Sequence, residues 1–321
     1  MTSLRLAACA AILAVAASAS AWTMAGHMVT AAIAYDTLKQ DDPQALAKIV
    51  ALLKQHPQFD TLWAKRLEKV DPDDRDQAIF MMAARWADDI RNNPDYNRPP
   101  WHYIDYPYKP AGQPDSVATE DPPVPNIEIA YRENIDILKK PDASPAEKAV
   151  ALCWIMHLTG DSHQPLHSVS LFSTDYPAPK GDAGATKAFV RAKEGGEPIN
   201  LHFFWDGLVT NTDDTRDVHK LAIELREKLP RGQLDPHPND VAPGDIAKWI
   251  QESFELAKTD VYRDGKLATS PNRDTAPVLP DDYAAKSKSV GERRATQSGY
   301  RMADILAKIA ADLGPAQLGK Q

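Results

Sequence analysis

Apolar residues recur at three- and four-residue steps over eight stretches of the chain: Met28 to Leu38, Ala45 to Leu53, Gln77 to Ile90, Ile127 to Leu138, Pro145 to Leu158, Val218 to Leu229, Ile246 to Leu256 and Thr296 to Leu313. That period belongs to one face of a helix. Ser144-Pro145-Ala146-Glu147 adds an N-cap, a proline at the first helical position and an acidic first turn. Period-two alternation is scarce. Ala188 to Arg191 predicts one arm of a short hairpin, with Gly195-Gly196 at its turn. Proline-rich stretches from Lys109 to Pro125, Thr174 to Gly184, Pro230 to Pro243 and Ser270 to Pro280 interrupt the helices. Such segments predict loops of a helical protein rather than linkers between separate halves. With no internal repeat, the pattern predicts an all-α fold, one domain over residues 22–321 with long loops.

The first 21 residues read as a cleaved secretory signal: Arg5, an Ala-rich apolar stretch from Leu6 to Ala17, and Ala19-Ser20-Ala21 before the cut. No later run of 18 apolar residues predicts a membrane anchor. The chain is therefore expected to leave the cytoplasm, for the periplasm or the medium, and to begin at Trp22. Of two cysteines, Cys9 departs with the signal and Cys153 is left without a partner. No internal disulfide is then available, and bound metal is the alternative staple. The net charge of −8 gives no general attraction for nucleic acid. A polyanionic substrate needs a concentrated local positive charge.

Candidate chemistry concentrates in His157-Leu158-Thr159-Gly160-Asp161-Ser162-His163-Gln164-Pro165-Leu166-His167. His157 and Asp161 share a helix face. Pro165 disturbs or ends the helix and lets His167 approach from the next turn. Leu201-His202-Phe203-Phe204-Trp205-Asp206 repeats the His-x3-Asp spacing. One such pair is ordinarily a solvated pair on a helix, whereas two of them, one running on to a further histidine, favour zinc. Trp22 to His27, Trp86-Ala87-Asp88-Asp89-Ile90-Arg91 and Trp101-His102-Tyr103-Ile104-Asp105 are further candidates. Alone, each reads as a packed histidine or a solvated helix end. His56, His219 and His237 read as surface residues, His163 as a residue that orients ligands, and Cys153 as packed core.

Together these segments resemble the zinc-dependent single-strand-specific nucleases of the S-one/P-one type, over nearly the whole chain from Trp22 to Gly299-Tyr300-Arg301-Met302-Ala303. The 157–167 run is similar to that family's H-x-x-G-D-x-H-Q-P-L-H signature without a mismatch. The order of the W-A-D-x-x-R, W-H-Y/F-x-D and N-L-H-x-x-W-D motifs agrees as well. The resemblance implies a helical fold of the phospholipase C/nuclease type with a trinuclear zinc cleft. It implies one zinc held by Asp88, His102, His157 and Asp161, and a second by His167, His202 and Asp206. A third takes Trp22, through its α-amino nitrogen and carbonyl oxygen, with His27 and a bridging Asp161. One departure is plain: the family's G-D-x-G-G-N reads here Gly181-Asp182-Ala183-Gly184-Ala185-Thr186.

The implied activity is hydrolysis of phosphodiesters in single-stranded DNA and RNA to 5′-phosphorylated products, with release of phosphate from 3′-mononucleotides. Two zinc ions about 3.5–4 Å apart activate water and relieve charge on the phosphate. Asp88 is expected to bind metal and orient the nucleophile, and Arg91 to stabilise phosphoryl charge. Tyr103 is expected to stack on a base and Asp105 to bond its edge, which suits single strands. A monomer is expected. A zinc phospholipase C shares the implied architecture, but usually has a longer gap than Trp-x4-His and a glutamate where Asp206 stands. A non-catalytic zinc protein needs no Arg91.

Overall fold

The computed structural model describes residues 22–314; the secretory-signal reading of residues 1–21 lies outside them. The chain is mostly helical with few strands, and no described helix is long and apolar enough to cross a membrane. Helix α1 (Met24–Asp41) is capped by Thr23, whose hydroxyl accepts from the Gly26 N–H at 3.2 Å. Asp42 closes α1 and caps α2 (Pro43–Leu53), accepting from the Ala45 N–H at 2.9 Å. A π-turn over Phe59–Ala64 leads into the single turn α3 (Lys65–Leu67) and then α4 (Arg75–Asp89). Helix α5 (Ile127–Lys139) precedes α6 (Pro145–Asp161). Ser144 and Glu147 form the reciprocal cap expected for α6. Helix α6 is buried on every side from Ala151 onward, packed against α4, α5, α2 and the long α10 (Tyr283–Asp312). It is the central post of the fold.

Between these helices, strand β1 (Tyr106–Tyr108) pairs in parallel with β2 (Val169–Leu171), Tyr106 opposite Val169. Three-residue strands carry no readable alternation, so this pair has no signature in the sequence. Strand β3 (Phe189–Arg191) pairs antiparallel with β4 (Pro198–Asn200) as the hairpin pattern predicts. Gly195 takes φ +67° in its turn, a region that glycine enters without strain. The chain continues through α7 (Leu201–Asp206), α8 (Thr215–Lys228) and α9 (Ile246–Leu256). Three apolar clusters result: one around α2, α4, α6 and the end of α10, one around α1 and α8, and one beneath the small strands and α7. Residues of metal-binding type come from segments rooted in all three.

Two expectations need correction. Helix α10 begins at Tyr283, well before Thr296. Its first half buries Ser287, Glu292 and Arg294, so its inward face is polar and invisible to a hydrophobic count. His56 is not a surface residue. It is buried between Trp63 and Trp86, with ring centroids 4.9 Å away in each case. Burial pushes its pKa down to about 4, and its Nδ1 accepts from the Gln58 N–H at 3.1 Å.

The polar face of α10 meets α9 in a buried charge network. Glu252 accepts from Arg294 at 2.7 Å and from Arg301 at 2.6 and 2.8 Å. Both guanidinium groups are fully buried. Arg294 also donates to the His163 carbonyl at 3.3 Å, Ser253 to the Ser162 carbonyl at 2.6 Å, and Ser298 to the Thr159 carbonyl at 3.2 Å. This network grips the end of α6. Burial pushes the Glu252 carboxyl up, but the hydrogen bonds from Arg301 and the charges of Arg294 and Arg301 outweigh that, so the net shift is downward. Glu252→Gln leaves two buried cations short of a charge and should cost about 3 kcal/mol at pH 7, read as a lower urea midpoint. A carboxyl with a depressed folded pKa stabilises above its unfolded pKa and loses that contribution as pH falls through the folded value. The gap between the two proteins should therefore close in acid.

Candidate metal centre

Helix α6 sets His157 and Asp161 one turn apart on one face. The His157 Nδ1–H donates to the Ala84 carbonyl of α4 at 2.7 Å, which fixes the tautomer and leaves Nε2 as the free lone pair. That Nε2 lies 3.0 Å from His102 Nδ1, 3.3 Å from Asp161 Oδ2 and 3.7 Å from Asp88 Oδ1. His102 closes the 3₁₀ turn Pro99–His102, with its Nδ1 3.1 Å from Asp161 Oδ2. From α1, His27 stacks on His157 with centroids 4.0 Å apart, and its Nε2 sits 3.2 Å from Asp161 Oδ1. Gly160 allows that approach: a Cβ there would lie 2.6 Å from His27 Nδ1.

The second half follows from the turn Pro165–His167 and from α7. The His167 Nδ1–H donates to the His102 carbonyl and the His202 Nδ1–H to the Gly184 carbonyl, each at 2.6 Å. Both Nε2 atoms are thereby turned inward, and they face one another at 3.1 Å. Asp206 Oδ2 is 3.6 Å from His202 Nε2, while its Oδ1 accepts from Gln164 Nε2 at 2.7 Å. The parallel strands hold the two halves in register: the Ile104 N–H donates to the His167 carbonyl at 2.8 Å. Trp22 is buried at the head of α1, and the next residue's N–H donates to the Asp206 carbonyl at 3.2 Å.

Three groups result: His102, His157 and Asp161; His27, Asp88 and His157, which shares His157 with the first; and His167, His202 and Asp206. Within each, the ligand atoms lie within 4.8 Å of one another. All eight side chains are buried. His27 Nδ1 and Nε2, Asp88 Oδ2 and Asp161 Oδ1 make no hydrogen bond. The electrostatics ask for added positive charge. Burial disfavours a charged His157, but Asp161 and Asp88 outweigh it and raise its pKa to about 9. Burial pushes the Asp206 carboxyl well up, and Asp88 and Asp161 push it further against the Gln164 bond. Burial, with little net help from its neighbours, brings His167 down to about 3. Nitrogen and oxygen donors converging in this way fit a divalent metal of the zinc type.

The cluster forms the floor of a cleft of about 780 Å³, lined in part by Arg91, His102, Tyr103, Asp105, Thr186 and His202. Arg91 donates to Asp88 Oδ1 at 2.6 Å. Burial, reinforced by Asp182, raises Asp105 to about 7. Tyr103 is half-buried. His163 bonds none of the metal-type side chains: its ring is engaged by the Thr159 carbonyl at 2.8 Å and Arg301 at 3.0 Å. Cys153 is packed core. His219 is half-exposed, 3.2 Å from Asp36, and His237 caps a 3₁₀ turn.

Sequence reasoning missed two residues. Gln164 aims Asp206 and also accepts from the Leu166 N–H at 2.6 Å; its place inside the signature was the available signal. Asp182 is buried and accepts from the Leu171 N–H at 2.9 Å and the Tyr262 hydroxyl at 2.7 Å. It clamps the altered loop, which a lone aspartate between glycines does not announce. Gly181, Ala183, Gly184 and Ala185 have φ of +54°, +53°, +61° and +63°. Gly184 turns its carbonyl to His202, and a Cβ on it would lie 2.6 Å from the Leu166 oxygen.

This architecture and donor set define a helical protein with a multinuclear metal centre of the His/Asp type. The S1/P1 Nuclease family model matches residues 22–311, and the chain belongs to that family. It is 28% identical over 171 residues to Endonuclease 3 of Arabidopsis thaliana, covering 50% of this chain and 51% of that protein. It is 26% identical over 247 residues to Nuclease S1 of Aspergillus oryzae, covering 71% of this chain and 78% of that protein. The chain thus spans about half the length of the plant relatives it matches.

Ala185 is buried in the left-handed region, where an L-residue with a Cβ costs about 1–2 kcal/mol. Ala185→Gly relieves that strain and loosens the unfolded chain by about 0.5–1 kcal/mol. Loss of the buried methyl costs about 0.8 kcal/mol more, so the terms nearly cancel and the thermal midpoint should stay within a few degrees of the unaltered protein's; a large drop contradicts the strain at Ala185.

Proposed function

We propose that this protein is a secreted, zinc-dependent endonuclease. It hydrolyses phosphodiester bonds of single-stranded RNA and DNA to 5′-phosphorylated products and releases phosphate from 3′-mononucleotides. The observation that carries the reading is the convergence of the buried Nε2 atoms of His167 and His202, 3.1 Å apart, beside Asp206. They adjoin the carboxylate-rich group of His102, His157 and Asp161. The zinc dependence of the family supports the choice of metal. In this reading three zinc ions bind: one to Asp88, His102, His157 and Asp161, one to His167, His202 and Asp206, and one to Trp22, His27 and Asp161. Removal of residues 1–21 frees the Trp22 amine for the last of these.

Bound zinc supplies a lowered pKa for water and stabilises charge on the phosphate and the leaving oxygen. The chain's own groups do the rest. Asp88 orients the attacking water, its carboxylate held by Arg91. The Arg91 guanidinium, at the cleft wall, neutralises charge that builds on the phosphoryl oxygens. Tyr103 stacks on a base. Asp105, with a pKa near 7, meets the base edge as donor or acceptor. Bases within a duplex hide the faces that Tyr103 requires, hence the preference for single strands. The protein acts as a monomer in the periplasm or the medium.

Cleavage of single-stranded DNA and RNA that EDTA abolishes tests the reading. Arg91→Ala sharpens it: the variant should keep its fold and zinc content and lose roughly 100-fold in kcat. Unchanged turnover removes Arg91 from the mechanism.

A further inference from the structure

The cleft continues beyond the metal-type cluster. Pro179, Lys180 and Thr186 also border a second depression of about 470 Å³, which runs on past Lys187 to Phe189 and Pro271. Lys180 and Lys187 are both exposed along it. Their backbone is firmly held. The Lys180 carbonyl accepts from Ser170 Oγ at 2.7 Å, and between the two lysines lies Asp182, buried and doubly bonded to Leu171 and Tyr262. Lys187 Nζ reaches back to the Gly181 carbonyl at 3.2 Å. Of the acidic residues bordering the cleft, Glu120 and Asp121 come from a different loop, and Asp105 feels the charges of both lysines; Asp175 is the one carboxylate bordering the second depression. In a chain of net charge −8, two cations on a rigid loop leading out of the cleft are a local device, since the overall field repels a polyanion.

We propose that this second depression is an outer subsite for single-stranded nucleic acid. There Lys180 and Lys187 bind the phosphates of nucleotides beyond the one seated over the metal-type cluster, so that the protein favours oligonucleotides over the shortest substrates. The inference rests on the nuclease reading but is tested by binding, not by cleavage. Phosphate contacts of this kind are sequence-independent and salt-sensitive. They suit a flexible single strand threaded along a rigid wall.

The experiment measures fluorescence anisotropy of labelled phosphorothioate thymidine dinucleotide and hexanucleotide on the zinc-loaded protein. The hexanucleotide should bind about tenfold more tightly, and Lys180→Ala/Lys187→Ala should erase that gain. The slope of log K against log salt for the hexanucleotide should shrink by about 1.4, or 0.7 per phosphate contact. Lys180→Arg/Lys187→Arg should retain both gain and slope, which a merely structural role for the lysine side chains does not predict. Equal binding of the two lengths by the unaltered protein, or an undiminished gain in the alanine variant, overturns the subsite. Failure of the nuclease reading shows separately, as absence of cleavage of unmodified single strands while the length effect on binding stands.

Discussion

Two imidazole nitrogens 3.1 Å apart in a buried site call for a cation between them, a proton or a metal ion. The arrangement of His167 and His202 therefore constrains everything around it. Each ring is turned by a backbone carbonyl, those of His102 and Gly184, and His157 is turned in the same way by Ala84. Three elements distant in sequence thus spend backbone acceptors on holding one nitrogen of each imidazole and aiming the other inward. Such outer bonds set ligand tautomer and basicity. Asp88 and Asp161, both held against burial below the usual carboxylate range by the histidines around them, bring buried negative charge to the same place. Metal binding and stability are accordingly coupled, in a chain whose described residues contain one cysteine and no disulfide.

The scaffold serves this constraint from outside. Helix α6 carries His157 and Asp161 through the middle of the apolar core, and its end is gripped by the Glu252, Arg294 and Arg301 network on the side that His163 faces. Gly160 brings α1 close enough for His27 to stack on His157. The parallel strand pair ties the segment after His102 to the segment after His167. The left-handed loop around Gly184 does the same for His202. A loop that borders the cleft therefore also sets a metal-type ligand, and changes at Ala185 and Thr186 act on both.

Most helices were legible because an apolar stripe facing a core leaves its period in the sequence; α9 runs over Ile246–Leu256 as the pattern predicts. The first half of α10 was not, since its buried face is built from Ser287, Glu292, Arg294 and their neighbours. Nor were the three-residue parallel strands, which depend on backbone pairing between distant segments. At the site, the density of histidine and aspartate in the 157–167 run pointed to metal chemistry; the family resemblance set His27 with Asp161, while the structure also gathers it with Asp88 and His157. Sequence could not supply the geometry that makes His56 a core residue between two tryptophans, or that turns His163 towards Arg301 instead of a ligand. Those outcomes depend on which elements pack against each ring. Gln164 and Asp182 act by hydrogen bonds across long sequence separations, which spacing does not encode.

The most direct test of the account is the zinc content per chain of purified protein beginning at Trp22, measured alongside its cleavage of single-stranded DNA with and without EDTA. Three zinc ions per chain, with cleavage lost on chelation, is the predicted result for the three buried groups. Fewer than two, or cleavage indifferent to EDTA, contradicts it.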